Sequence, residues 1–213
     1  MLDYLSGAVR LSLVTFALCG FGYPLAVTGI GQLLMPYWAN GSVERGADGR
    51  IIGSRLIGQQ WSDPQWFHGR PSATVAPDPK DPSKDVEMPY NAANTTASNL
   101  GPTSETLQAR LLAERKSLEQ EQPELKGKLL PADMLTASAS GLDPDITPAN
   151  ASLQVARVAK ARGLPEEKVA ALVEQHVIPR SLGIFGEPRI NVLELNLALE
   201  KAFPMRPERP DEH

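Results

Sequence analysis

Five side chains in this sequence are of the types that cleave esters and amides by nucleophilic attack. Ser138 and Ser140 could supply the hydroxyl, His68 or His176 the base, and Asp143 the carboxylate that orients the base. Their spacing selects no nucleophile elbow and no established triad order. His176 falls on the apolar face of a helical pattern, where a hydrogen-bonded core histidine is the simpler expectation. A free-standing membrane-anchored extracytoplasmic serine hydrolase is therefore the alternative reading and not the first. Metal ligation has little to work with, since the chain has 3 histidines, one of them the terminal His213, and no Cys or His pair at ligand spacing. No P-loop and no GxGxxG is present. Gly141, at a turn before a helix start, could receive a phosphate on free N–H groups, although capping by Thr147 accounts for the same residues.

The elements that would have to position these groups begin with Leu11 to Asn40, a stretch with no charged residue. A helix needs about 20 apolar residues to cross the hydrocarbon core, and this run exceeds that. Tyr37 and Trp38 stand at its far end, where amphipathic rings favour the headgroup level. The expectation is one transmembrane helix over residues 11–35. A cleaved signal peptide is the competitor, but it requires a basic start, a short apolar core and a small-x-small cleavage site. Here the start holds only Arg10 against Asp3, the run is too long, and the exit carries Trp38. Gly20, Gly22, Gly29 and Gly31 are more small residues than a lone anchor needs, and they would let a neighbouring helix approach closely. Pro24 predicts a kink.

The chain has 213 residues and a net charge of −4. Arg10 and Asp3 cancel, so the whole excess falls after the helix, on about 170 residues, enough for one domain with a real core. An acidic domain argues against nucleic acid as a partner, because phosphate binding requires a basic patch. The single cysteine, Cys19, lies in the apolar run, so no disulfide forms within the chain. Flanking charge favours, slightly, a cytoplasmic N-terminus and an extracytoplasmic domain.

Further along, Ile51, Ile52, Leu56 and Ile57 read as a short strand interrupted by Gly53. Trp61, Trp66 and Phe67 form an aromatic corner of the core. Residues 74–99 hold four prolines among polar residues and read as an extended surface loop, ordered in part by a partner. Thr103 is the expected N-cap of a helix that Pro123 stops, with Leu107, Leu111 and Leu118 near one face. Thr147 caps a second helix whose apolar face is Ala151, Val155, Val158 and Ala159. Gln154, Arg157 and Lys160 take its opposite side, and Gly163 ends it. Pro165 opens a third, with Val169, Leu172, Val173, His176 and Val177 at helical spacing. Leu193, Leu195, Leu197 and Leu199 alternate like a strand, but Leu, Glu and Ala are helix formers, and helix is the expectation. The fold class is thus α+β: an N-terminal transmembrane helix followed by one helix-rich soluble domain with a small sheet. Its parts are a short cytoplasmic N-terminus (1–10), the helix (11–35), the domain (36–203) and a disordered tail (204–213).

Several stretches, taken in order, resemble the C subunit of the bacterial potassium-transporting ATPase, the Kdp system. They are G-S-R-L-I-G-Q (Gly53–Gln59), W-F-H-G-R-P-S-A (Trp66–Ala73, with Arg70 and Pro71), Y-N (Tyr90, Asn91) and S-N-L-G-P-T (Ser98–Thr103, with Asn99, Gly101 and Pro102). Then follow S-A-S-G-L-D-P-D-I-T-P-A-N-A (Ser138–Ala151, with Ser140, Gly141, Asp143 and Pro144), Q-V-A-R-V-A (Gln154–Ala159, with Arg157) and G-E-P-R-I-N-V-L-E-L-N-L-A-L (Gly186–Leu199, with Arg189, Asn191 and Asn196). Ala139 stands where Gly is expected and Asp145 where His is frequent. The resemblance implies a noncatalytic accessory subunit of an ATP-driven, high-affinity potassium uptake complex in the bacterial inner membrane. Its partners would be a channel-like potassium-translocating subunit, a P-type ATPase subunit, a small hydrophobic subunit and membrane lipid. It implies a role in assembly and stability, with a proposed effect on nucleotide or potassium affinity. It implies no cofactor in this chain, ATP and potassium being engaged at the level of the complex.

Overall fold

The computed structural model describes residues 2–46 and 48–205, in two units that divide between Ser54 and Arg55. The expected tail lies, from Arg206 on, outside the described residues. In the first unit the apolar stretch is helical, and the helix starts at Leu2, ahead of the apolar run. Two α-helical parts, α1 (Leu2–Ala17) and α2 (Tyr23–Leu34), are joined by a π turn at Leu18–Gly22. Pro24 explains the turn: it has no N–H to donate, and its ring crowds the carbonyl one α-turn back. The turn is closed instead by the Tyr23 N–H on the Leu18 carbonyl, five residues back, and such a wider turn absorbs the misfit without breaking the helix. Tyr4–Leu34, 31 residues long, is apolar enough to cross a membrane. At about 1.5 Å per residue it reaches across both the hydrocarbon core and the headgroup layers.

After α2 the chain makes one short helix, α3 (Pro36–Ala39), where the Tyr37 hydroxyl donates to Glu44 at 2.6 Å. A two-stranded antiparallel sheet follows, β1 (Val43–Arg45) against β2 (Ile51–Ser54), with Val43 opposite Ser54 and Glu44 opposite Gly53.

The second unit is built on three helices: α6 (Pro148–Arg162), α7 (Glu166–Gln175) and α8 (Val192–Ala202). Before them come an antiparallel hairpin, β3 (Val75–Pro77) with β4 (Asp85–Glu87), the long α4 (Glu105–Glu121) and the short α5 (Ala132–Leu135). A minimal pair, β5 (Asp145–Ile146) with β6 (Ile190–Asn191), ties the start of α6 to the start of α8. The core is apolar side chains from all three helices, Ala151, Val155, Val158, Val169, Leu172, Val173, Leu195 and Leu199, closed by Ile146, Ile190 and Phe67.

Several local expectations hold for their stated reasons. Thr147 accepts from the Asn150 N–H and caps α6; Gly163 ends it in the left-handed conformation (φ 63°) that costs other residues a Cβ clash. The alternating leucines of 193–199 are helical, with Asn191 capping α8 through the Glu194 N–H. Others are corrected. The N-cap of α4 is Ser104, whose hydroxyl accepts from the Leu107 N–H; Thr103 lies one residue too early, inside a turn closed by the Ser104 N–H on the Gly101 carbonyl. Residues 74–99 are not a plain extended loop. The chain supplies its own order through the β3–β4 hairpin and through Asn91, whose amide donates to the Val75 carbonyl at 2.8 Å.

Leu199 is fully buried, while Leu112 on α4 is 69% exposed. Leu199→Ala should cost about 2–5 kcal/mol, and Leu112→Ala less than about 0.5 kcal/mol. Melts of the detergent-solubilised chain followed by tryptophan fluorescence should show a clear drop in midpoint for the first alone.

Candidate functional site

Residues Pro64–His68 form no helix or strand, yet Phe67 is fully buried. Backbone that leads into the interior without a ladder must pair its carbonyls some other way. Here five carbonyls in succession are taken by side chains from two helices. Arg157 on α6 donates through Nη1 to the carbonyls of Pro64 (2.7 Å) and Trp66 (3.0 Å). Arg162, at the end of α6, donates Nε to the Gln65 carbonyl at 2.9 Å and lies 4.3 Å over the Trp66 ring. Asn196 on α8 donates to the Phe67 carbonyl and accepts from the Phe67 N–H, both at 2.9 Å. Gln154 makes the same reciprocal pair with His68, at 2.8 and 3.0 Å. Asn and Gln, with one acceptor and one donor group side by side, stand in for a strand edge.

Gln154 and Arg157 are therefore not on a solvated helix face. Both are buried, whereas Lys160 is exposed. Periodicity counted them as polar and outward; the unpaired carbonyls of the crossing segment turn them inward. The spacing Asn150, Gln154, Arg157 on one stripe of α6 was the available signal. Gln154 also donates to Asn150 at 2.7 Å and accepts from Arg157 at 2.7 Å.

The segment continues through a second set of motif residues. Arg70 pairs with Asp143 at 2.9 Å and reaches the Thr136 and Ala137 carbonyls. The Tyr90 hydroxyl donates to the Arg70 carbonyl at 2.7 Å, and the Ser138 N–H to the Pro71 carbonyl. Burial raises the Tyr90 pKa further from neutrality, so it remains a donor. Asp143 also accepts from the Asp145 N–H, and the Pro144 carbonyl from the Val192 N–H at 2.9 Å. Asp145, Arg189 and Asn191 form a neighbouring cluster: Arg189 to Asp145 at 2.9 Å, and the Asn191 amide to the Arg55 carbonyl at 2.9 Å. Gly53 belongs to the first unit, and Asn99, Gly101 and Pro102 lie on exposed chain before α4. Gln59 is half-buried.

The residues of a hydrolase are not brought together. No hydrogen bond joins Ser138 or Ser140 to either histidine. The Ser140 hydroxyl accepts from the Leu142 N–H at 3.1 Å. The His176 ring bonds the Leu172 carbonyl at 2.8 Å just past the end of α7. His68 Nε2 lies 3.1 Å from the Asp63 carbonyl and 3.3 Å from Arg157 Nη1. The Gly141 turn is closed as well. A Cβ there would lie 2.4 Å from the Thr74 methyl and 2.9 Å from the Thr96 carbonyl, so that side of the turn is filled by protein. A cleft of about 770 Å³ does open beside the segment, lined by His68, Arg70, Tyr90, Glu114 and Glu121 among others. Within it burial lowers the His68 pKa, aided by the Arg157 charge, and burial raises that of Glu114.

Asn196→Ala should leave the Phe67 N–H and carbonyl buried without partners and cost about 2–5 kcal/mol, read as a lowered melting midpoint. A second effect is pH-dependent. The His68 pKa in the folded chain lies below its ordinary value of 6.5, so the unfolded chain takes up the proton first. The stability this contributes is complete above pH 6.5 and is lost as pH falls through the folded value. The melting midpoint should therefore fall below pH 6.5, and His68→Gln should remove that part of the slope.

The match to known families is extensive. The family model for the K+-transporting ATPase c chain covers residues 5–201. The chain is 54% identical over 203 residues to a Potassium-transporting ATPase KdpC subunit of Bradyrhizobium diazoefficiens, covering 95% of this chain and 98% of the relative. It is 52% identical over 202 residues to that of Methylobacterium nodulans, covering 94% and 98%. With the helix, the pinned segment and the full-length match in register, the chain belongs to the family of K+-transporting ATPase c chains.

Proposed function

We propose that this chain is a noncatalytic subunit of an ATP-driven, high-affinity potassium uptake complex in the bacterial inner membrane. In this reading it supports the assembly and stability of a channel-like potassium-translocating subunit and a P-type ATPase subunit, beside a small hydrophobic subunit. ATP and potassium are engaged at the level of the complex. The N-terminus is cytoplasmic and the domain extracytoplasmic, which sets any effect on potassium affinity closer to this chain than an effect on cytoplasmic nucleotide. The observation that carries the reading is the direction of the motif side chains. Arg70, Asp143, Gln154, Arg157, Asn191 and Asn196 hydrogen-bond this chain's own backbone or each other. They hold a shape, and among the described residues neither Ser138 nor Ser140 is hydrogen-bonded to His68 or His176, which suits a body that other subunits recognise.

The helix has a part beyond anchoring. Gly22 and Gly29 are seven residues apart, about two turns, and so lie near one face; a Cβ at Gly29 would meet nothing within 4 Å, so the space there is open to a neighbour. Gly20 and Gly31, each two residues from one of these and so about 200° round the helix, lie on the other side, where a Cβ would already meet Phe16 or Ala39, and they offer a second small-residue surface for a partner helix. Gly22→Leu with Gly29→Leu should insert normally, both changes being more apolar, yet weaken co-purification with tagged pump subunits by about tenfold or more. Equal recovery would reduce the helix to a tether. Orientation has its own test. The only native thiol, Cys19, lies in the helix, so Ser83→Cys at an exposed turn gives a thiol outside it. A membrane-impermeant maleimide should label that thiol in right-side-out vesicles; protection until lysis would place the domain inside.

A further inference from the structure

Between α7 and β6 the chain forms a hairpin whose tip is apolar and uncovered. Leu182 is 88% exposed, Ile184 73% and Phe185 63%. Water-exposed clusters of this kind mark interaction sites more often than single exposed residues do. The tip is also well ordered by its own backbone. Ile178 and Arg189 exchange N–H···O=C bonds at 2.8 and 3.0 Å at the base. Ser181 and Phe185 exchange a pair at 2.9 Å nearer the tip, and the Gly183 N–H reaches the Arg180 carbonyl at 3.0 Å. Leu182 holds φ at 54°, a left-handed conformation that a branched aliphatic residue rarely adopts. Asn or Gly would serve the turn better, so the turn geometry does not by itself account for a leucine here.

We propose that Leu182, Ile184 and Phe185 dock into an apolar concavity on the extracytoplasmic face of a partner subunit of the potassium-transporting ATPase. The inference rests on the subunit reading above and names the surface that serves it. Three features favour a protein pocket. A strained turn closed by its own backbone hydrogen bonds presents its side chains in one arrangement, which matters to a shaped pocket and not to fluid lipid. Charge argues the same way. Arg180 is paired with Glu187 at 2.5 Å and Arg189 with Asp145 at 2.9 Å. Both arginines beside the tip are thus neutralised by carboxylates, and the chain as a whole is acidic, net charge −4, which does not favour anionic headgroups. Size excludes a self-sufficient dimer, because three side chains cover far less than the ~1,200 Å² of a stable interface. A contact this small is effective only when the chain is already held in the complex by its membrane helix, where the local concentration of the partner is high.

The test uses the assembled complex in native membranes. Ile184→p-benzoylphenylalanine, irradiated there, should cross-link to a pump subunit. The same photoprobe at Leu129, an apolar side chain 96% exposed elsewhere on the domain, should not. Cross-linking to lipid alone, to a second copy of this chain, or no better than at Leu129 would overturn the proposal. Leu182→Asn with Phe185→Ser should lower retention in the complex on the order of 10- to 100-fold, with an unchanged or raised melting midpoint, since Asn tolerates the left-handed turn. Retention equal to the parent would also overturn it. If the parent chain itself fails to co-purify with pump subunits, the subunit reading falls and the proposal with it.

Discussion

An irregular chain can be part of a protein interior only if something other than a helix or sheet takes its backbone hydrogen bonds. That constraint organises the larger unit. Pro64–His68 passes from the exposed Pro64 to the fully buried Phe67 without a strand partner, and Arg157, Arg162, Asn196 and Gln154 pair its carbonyls. Each of these donors sits on a helix that also contributes apolar side chains to the core. The polar network and the hydrophobic core are therefore one assembly: Phe67 cannot enter the core unless its own N–H and carbonyl meet Asn196. Removing Asn196 leaves the buried Phe67 carbonyl unpaired, which costs more than an exposed hydrogen bond is worth. Aromatic and cationic packing reinforce the same place, with Arg162 over Trp66 and Trp66 against Trp61.

The same arrangement accounts for the chemistry the residue types seemed to offer. His68 is beside Arg157 and the Asp63 carbonyl, Ser140 turns back to its own loop, and His176 closes a helix end. Serine, histidine and aspartate occur here as turn and network residues. Apolar surfaces exposed among the described residues include the N-terminal helix, which is long and apolar enough to cross a membrane, and the 181–185 hairpin tip, and each calls for a different environment.

Much of the fold was legible because it follows local rules. The uncharged run, the Thr147 cap, the Gly163 terminator and the helical composition of 192–202 all act over one or two turns, and each is found where the pattern places it. The motif order identified the family. What was not legible depends on distant partners. Gln154 and Arg157 read as an outer face because periodicity sees only their own helix; the segment that buries them lies some ninety residues earlier in the sequence. The β3–β4 hairpin is hidden by prolines that ordinarily argue against strands, but Pro77 sits at the end of an isolated two-stranded ribbon where no further ladder bond is required. The π turn at Leu18–Gly22 follows from Pro24, whose presence foretold a disturbance and not its form.

Pinned by these side chains, Pro64–His68 should be held as firmly as the helices it crosses, irregular though it is. Native-state hydrogen exchange of the Phe67 and His68 amides tests this most directly, since their acceptors are Asn196 and Gln154. Their protection should match that of the α6 and α8 cores and be lost together with them in global unfolding. Exchange of these two amides at the rate of an exposed loop, while α6 and α8 remain protected, would contradict it.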